Sequence, residues 1–162
     1  MAYQIRNAQE NDWKVIQSLY AGARQFMALH GNPDQWGNQY PPEVMLLQDI
    51  AHEKLYLIYD EYGTHGVFYF AIEEDPTYDS IYEGDWHRNA TYGVIHRIAG
   101  DGSGGVLRAA VEYASGQISY LRIDTHEDNY VMQRALEKQG FVRCGIVRLE
   151  DGTLRIAYDK MA

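Results

Sequence analysis

Hydrophobic and polar positions alternate along this chain in two periods, and the switches between them predict its elements. Residues 3–6 read as a short first strand. Asn11 or Asp12 can cap a helix beginning at Trp13, where Trp13, Ile16, Tyr20, Ala23 and Met27 recur at spacings of three and four and share one face. Gly31, Asn32 and Pro33 stop that helix, and a loop rich in turn formers runs over residues 32–42. Pro41 and Pro42 suit the first turn of a second helix, which needs no backbone donor, and Val44, Leu47 and Ile50 supply its stripe. Residues 55–59 and 67–72 are β-rich runs separated by a turn-prone segment, which predicts an antiparallel hairpin.

Further along, residues 92–99 read as a strand, followed at once by a glycine-rich loop and a helix from Val106 to about residue 114. A strand over 120–125 and a helix over 129–139 come next, the helix ended by Gly140. Residues 141–149 and 154–159 close the chain as a hairpin around Asp151 and Gly152. The order describes an α+β fold: a mixed, mostly antiparallel central sheet with flanking helices. The strand–helix–strand unit over 92–125 is the clear place for a parallel pair. Residues 1–162 read as a single domain, with no internal repeat or linker.

Composition narrows the function. At 46% hydrophobic and 23% charged, the chain can bury a core without staples. No apolar stretch is long enough to span a bilayer and no secretory signal is evident, so a cytoplasmic protein with no membrane partner is expected. The single cysteine, Cys144, excludes an internal disulfide and a multi-thiolate metal site, and is read as a packing residue. A net charge of −9 argues against nucleic acid as a partner. Residues 73–86 carry six acids, no Lys or Arg, and Tyr78, Tyr82 and Trp86 among them. The segment is either a solvated loop or a mouth that attracts a cationic ligand, such as a polyamine or a basic side chain.

Residues 100–105, Gly-Asp-Gly-Ser-Gly-Gly, hold the densest chemical signal. Four glycines in six positions cost backbone entropy, and they stand between a strand and a helix N-terminus, where free N–H groups and the helix dipole favour an anion. The glycines are expected to serve phosphate binding rather than packing. Taken literally, Gly100, Gly102 and Gly105 satisfy G-x-G-x-x-G, with Asp124 placed like a ribose acid. A dinucleotide fold, however, needs several alternating strand–helix units, and one is evident. A Walker loop is excluded, because no Gly-Lys-Ser/Thr occurs.

The stretches YGVIHRIAGDGSGG and LRIDTHEDNYVMQRALEKQGFVRCG resemble the GNAT acetyltransferase superfamily, and the similarity runs over nearly the whole chain. The resemblance implies an acetyl-CoA-dependent N-acetyltransferase; His96 and His126 form no metal motif by spacing, so no metal is expected. Its acceptor would be a small-molecule or peptide amine. It also implies a strand backbone donor near Ile98 for the thioester oxygen, and a glycine turn that wraps the coenzyme A diphosphate. The cofactor-binding residues expected on this basis are Ile98, Ala99, Gly102, Ser103, Gly104, Gly105, Val106 and Asn129, and Trp36 and Tyr40 would line the acceptor side. Two departures stand out. The family's Gln/Arg-x-x-Gly-x-Gly motif is absent in strict form, and Leu136 occupies the position where many relatives carry a tyrosine general acid.

His96 is the catalytic candidate. Strand alternation places Val94, His96 and Ile98 on one face and Ile95, Arg97 and Ala99 on the other. Imidazole titrates in the range a general base needs, and its H-x-x-A spacing is similar to a strand histidine of arylalkylamine N-acetyltransferases. A hydrogen-bonded structural histidine is the competing reading. His126, Glu127 and Asp128 either approach the same cleft or shape a loop, and Asn129 either caps its helix or contacts the pantetheine arm. Two other functions remain open: a non-catalytic acyl-CoA-binding relative and a nucleotide-binding oxidoreductase. The terminal hairpin also offers an edge through which a homodimer could form.

Overall fold

The computed structural model describes residues 2–161. One seven-stranded sheet runs β1-β2-β3-β4-β5-β7-β6. Its strands are β1 (Gln4–Asn7), β2 (Leu55–Asp60), β3 (Gly63–Ile72), β4 (Gly93–Gly100), β5 (Tyr120–Thr125), β6 (Val142–Arg148) and β7 (Leu154–Met161). The helices are α1 (Trp13–Leu29), α2 (Glu43–Ala51), α3 (Val106–Gln117) and α4 (Tyr130–Lys138). Every neighbouring pair of strands is antiparallel except β4 and β5. This is the expected α+β fold. Its single parallel pair removes the doubly wound sheet that a dinucleotide-binding oxidoreductase would require.

Two cores form because both faces of the sheet are apolar. On one face Ile16, Leu19 and Tyr20 of α1 and Leu46 and Ile50 of α2 meet Leu57, Val67 and Val94. On the other, Ala110, Val111 and Ala114 of α3 and Leu136 of α4 meet Phe68, Ile95 and Ile123. Each fully buried large apolar side chain contributes about 1.5–3 kcal/mol.

Three local expectations change. The buried face of α2 is Leu46, Asp49 and Ile50, while Val44 and Leu47 are exposed. A polar residue occupies a core position there because Arg97 supplies a buried partner for Asp49. Strand β3 begins at Gly63, so the turn after β2 is short and the hairpin longer than its hydrophobic pattern. Gly66 and Gly100 are packing residues: a Cβ would lie 2.7 Å from the Val106 side chain at Gly66 and 3.1 Å from it at Gly100. Gly100 therefore lets the start of α3 close onto the β3–β4 hairpin, correcting the expectation that no glycine of the run serves packing.

The change with most consequence lies in β4. Ala99 pairs with Val67 and His96 with Tyr69, so Arg97 and Ile98 together oppose Phe68 in a β-bulge, with Arg97 at φ +50°. Past the bulge the alternation inverts. Ala99 joins Val94 in the α1-side core, and Ile98 packs with Ile95 against the α3-side core. The simple alternation expected for His96, Ile98 and Ala99 is thereby corrected.

Candidate active site

Strands β4 and β5 are paired only at Gly93–Leu121 and Val94–Arg122. Beyond these residues they part, and the β4 edge facing β5 has no ladder partner over His96, Arg97 and Ile98. A cavity of about 420 Å³ opens there. Ile98, Asn129 and Met132 contribute to its wall beside the split, and Trp36 and Tyr40 contribute from the α1–α2 loop.

His96 lines this cavity, and its Nε2 lies 2.8 Å from Asp75 Oδ2. A carboxylate accepts, so Nε2 carries a proton, and in the neutral imidazole the lone pair then lies on Nδ1. Asp75 is held in turn by the N–H of Thr77 on Oδ1, and its own N–H donates to the Tyr92 hydroxyl. Burial pushes the Asp75 carboxyl up, but its hydrogen bond and Coulomb attraction to His96 prevail and set it below the usual range. His96 is thus hydrogen-bonded and also borders the cavity. Asp75 was legible only as one acid among six.

Next to it, Arg97 makes a bidentate pair with Asp49, Nε to Oδ2 at 2.9 Å and Nη2 to Oδ1 at 3.0 Å. Its guanidinium lies 4.3 Å from the centre of the Tyr69 ring. Burial sets the Asp49 carboxyl above the usual range, although the Arg97 guanidinium, which stays cationic, pulls it down. The Tyr20 hydroxyl donates to the Arg97 carbonyl at 2.7 Å, so the bulge is tied to α1 as well as α2.

The acidic segment is only partly a mouth. Glu73, Glu74 and Asp75 line the cavity, but Glu73 is bound to Lys54 and to the Tyr69 hydroxyl. Trp86 and Tyr92 sandwich Arg122, each ring centre 4.2 Å from its guanidinium, and Tyr78 donates to Asp124. These aromatics build a wall rather than a cation trap.

The loop at residues 101–105 stands at the far end of β4. Gly102, Gly104 and Gly105 have φ of +86°, +90° and +78°, so glycine is required there by conformation. The N–H groups of Gly104, Gly105 and Val106 find no protein acceptor among the described residues. Ser103 differs from this expectation, because its N–H and its hydroxyl both donate to Asp101 Oδ1. Tyr3 donates to the Gly104 carbonyl, and His65 bridges Asp101 at 2.7 Å and Asp60 at 2.7 Å.

Other candidates resolve locally. Asn129 Oδ1 caps α4 by accepting from Met132 N–H, and its amide donates to Gln35 Oε1. His126 Nδ1 accepts from Asp128 N–H, which shapes the loop after β5. Leu136 is sealed in the core, and Tyr130 is exposed on α4. Cys144 is buried, with Sγ 3.3 Å from His87 Nδ1, itself 2.8 Å from Asp159. These three bring potential ligand atoms within 4.8 Å of one another, a grouping the sequence spacing did not suggest. Among the described residues no helix is long and apolar enough to cross a membrane.

No family model matches the chain, and no curated protein does. Solved structures do. An acetyltransferase of the GNAT family from Streptococcus agalactiae 2603 superposes with a TM-score of 0.87 at 30% identity, covering 99% of this chain and 95% of that one. The chain belongs to the GNAT acetyltransferase family. A GNAT acetyltransferase from Listeria monocytogenes superposes with a TM-score of 0.70 at 19% identity, over 99% of this chain and 95% of that one. N-acetylglutamate synthase from Neisseria gonorrhoeae, whose structure holds coenzyme A and N-acetyl-glutamate, superposes at 0.62 with 15% identity, over 99% of this chain and 35% of its own. Acyl transfer is the chemistry of the family.

Proposed function

We propose that this GNAT protein transfers an acetyl group from acetyl-CoA to a primary amine of a small-molecule or peptide acceptor. The observation that carries the reading is the unpaired β4 edge, which joins an amide-rich glycine turn at one end to the His96–Asp75 pair facing a cavity at the other. The residues fit the cosubstrate. The free amides of Gly104, Gly105 and Val106 and the N-terminus of α3 suit a diphosphate, and the β4 edge at Ile98 and Ala99 suits the amide-bearing pantetheine arm. Asp101 adds a negative charge to that turn, and His65 offsets it.

An alkyl ammonium with a pKa of about 10.4 costs ~4 kcal/mol to deprotonate at about pH 7.4. His96 Nδ1, directly or through one water, takes that proton as the amine nitrogen bonds to the thioester carbon. Asp75 holds the imidazole in the competent tautomer and stabilises its cation. The β4 backbone near Ile98 supplies the donor for the developing oxyanion. As the carbon–sulfur bond breaks, the thiolate takes its proton from solvent, since Leu136 cannot supply one.

Calorimetry with acetyl-CoA and a thiol-release assay over an amine panel test the reading. His96→Ala should lower kcat by ~10²–10⁴-fold while leaving coenzyme A affinity close to wild type. Unchanged turnover at every pH removes His96 from the mechanism. Tight coenzyme A binding without thiol release from any amine would favour the non-catalytic relative, for which the buried Leu136 is the supporting observation.

A further inference from the structure

Arg155 lines the same cavity, and the proposed chemistry does not use it. It stands near the start of β7, paired in register with Val147 of β6, and its residue exposure is 7%. A guanidinium buried that deeply ordinarily has an anionic partner, because the desolvation cost is large. Two other arginines with little exposure follow that rule or replace it. Arg97 has the bidentate Asp49, and Arg122 has two stacked aromatic rings and the Arg88 carbonyl. Arg155 has two neutral acceptors, the carbonyls of Leu154 at 3.1 Å and Gln35 at 3.3 Å.

No carboxylate reaches salt-bridge distance of Arg155 among the described residues. Asp124 and Asp151 act on it only through space; Asp124 is engaged by Tyr78, and Asp151 accepts from Thr153 N–H. Burial accordingly pushes its guanidinium below the usual range, while the paired Arg97 is pushed above it. The two carbonyls, of Leu154 and Gln35, hold the guanidinium in place. Its remaining N–H donors belong to a planar fork that matches a carboxylate.

We propose that Arg155 is the carboxylate-binding residue of the acceptor site, so that the amine acetylated by this protein belongs to a small molecule of the amino-acid class. The assignment rests on the acetyltransferase reading, with the amine at His96 and the acid group at Arg155 in one cavity. A polyamine places a second cation where Arg155 repels it.

The test compares acetylation by the intact protein of matched pairs: each proteinogenic amino acid, β-alanine and 4-aminobutyrate against its own primary amide, with spermidine and cadaverine beside them. At least a tenfold higher kcat/KM for the acid of the preferred pair is expected. Arg155→Gln should abolish that preference through KM, Arg155→Lys should retain part of it, and coenzyme A affinity should change less than twofold in both. Equal use of acid and amide, or preference for a polyamine, overturns the proposal, and the wild-type comparison decides this even if neither variant folds. Absence of thiol release from every amine overturns the acetyltransferase reading instead. Calorimetry with N-acetyl amino acids against their amides then still decides the Arg155 assignment: tighter binding of the acids supports it, and no difference overturns it.

Discussion

Asp49→Ala isolates the buried ion pair that anchors the β4 bulge. The exposures of the two side chains are 11% for Arg97 and 9% for Asp49, and both hydrogen bonds of the pair are short. Removing the carboxylate leaves a guanidinium buried without its anion, a change that costs about 3–5 kcal/mol. Arg97 would keep the Tyr69 ring at 4.3 Å and the Tyr40 hydroxyl at 3.4 Å. Those contacts put the expected loss at the lower end, about 3 kcal/mol. For a domain of this size that corresponds to a fall of about 6–12 °C in Tm. Scanning calorimetry and urea unfolding at neutral pH measure it. The double variant Asp49→Leu with Arg97→Met should recover most of the loss, because a well-packed apolar pair replaces the desolvated charges. A Tm for Asp49→Ala within about 2 °C of wild type would refute the reasoning, since it would mean the guanidinium is adequately solvated without Asp49.

Gly105→Pro should weaken acetyl-CoA binding at least tenfold by calorimetry, because φ there is +78° and the proline ring locks φ at a negative value; a folded variant with unchanged affinity would clear the turn of any role. The hydrogen bonds of His65 to Asp101 and then to Asp60 push its imidazole up, while burial opposes them; burial pushes up on both carboxyls too, but their hydrogen bonds prevail and set them below the usual range. The histidine's contribution is therefore present below its unfolded pKa of ~6.5 and lost as pH rises through the raised value, and that of the carboxylates is present above ~3.9 and lost on acidification. Melting curves at acidic and alkaline pH should show wild type losing more on the alkaline side than His65→Gln; parallel curves would discount the bridge. Burial, then Asp159, pushes the Cys144 thiol up to about 12. Ellman's reagent at about pH 8 should thus react at least ~10-fold more slowly with the folded protein than with the urea-unfolded chain, and comparable rates would show an accessible thiolate.

The glycine run, the strand before it and the apolar stripe of α1 were legible in the chain because each is a local property. Periodicity places Ile16, Tyr20 and Ala23 on one face whatever they pack against, and clustered glycines, which tolerate positive φ, announce a special turn. The stripe of α2 misled for the same reason: a period cannot tell that Asp49 points inward when its partner, Arg97, lies far along the chain on strand β4. Asp75, well separated from His96 in sequence, looked like surface charge until the fold closed it onto the imidazole. Arg155 carried no signal at all, since its meaning lies in the partner it lacks. The bulge at Arg97 is likewise tertiary, held by Asp49 and Tyr20 from two helices, and it turns Ile98 and Ala99 to faces that strict alternation denies them. Local sequence determined the elements, the family resemblance and the glycine-rich turn. Long-range packing decided which charges are neutralised, which remain available, and where strand β4 is left open, because desolvation and pairing depend on neighbours brought together only by folding.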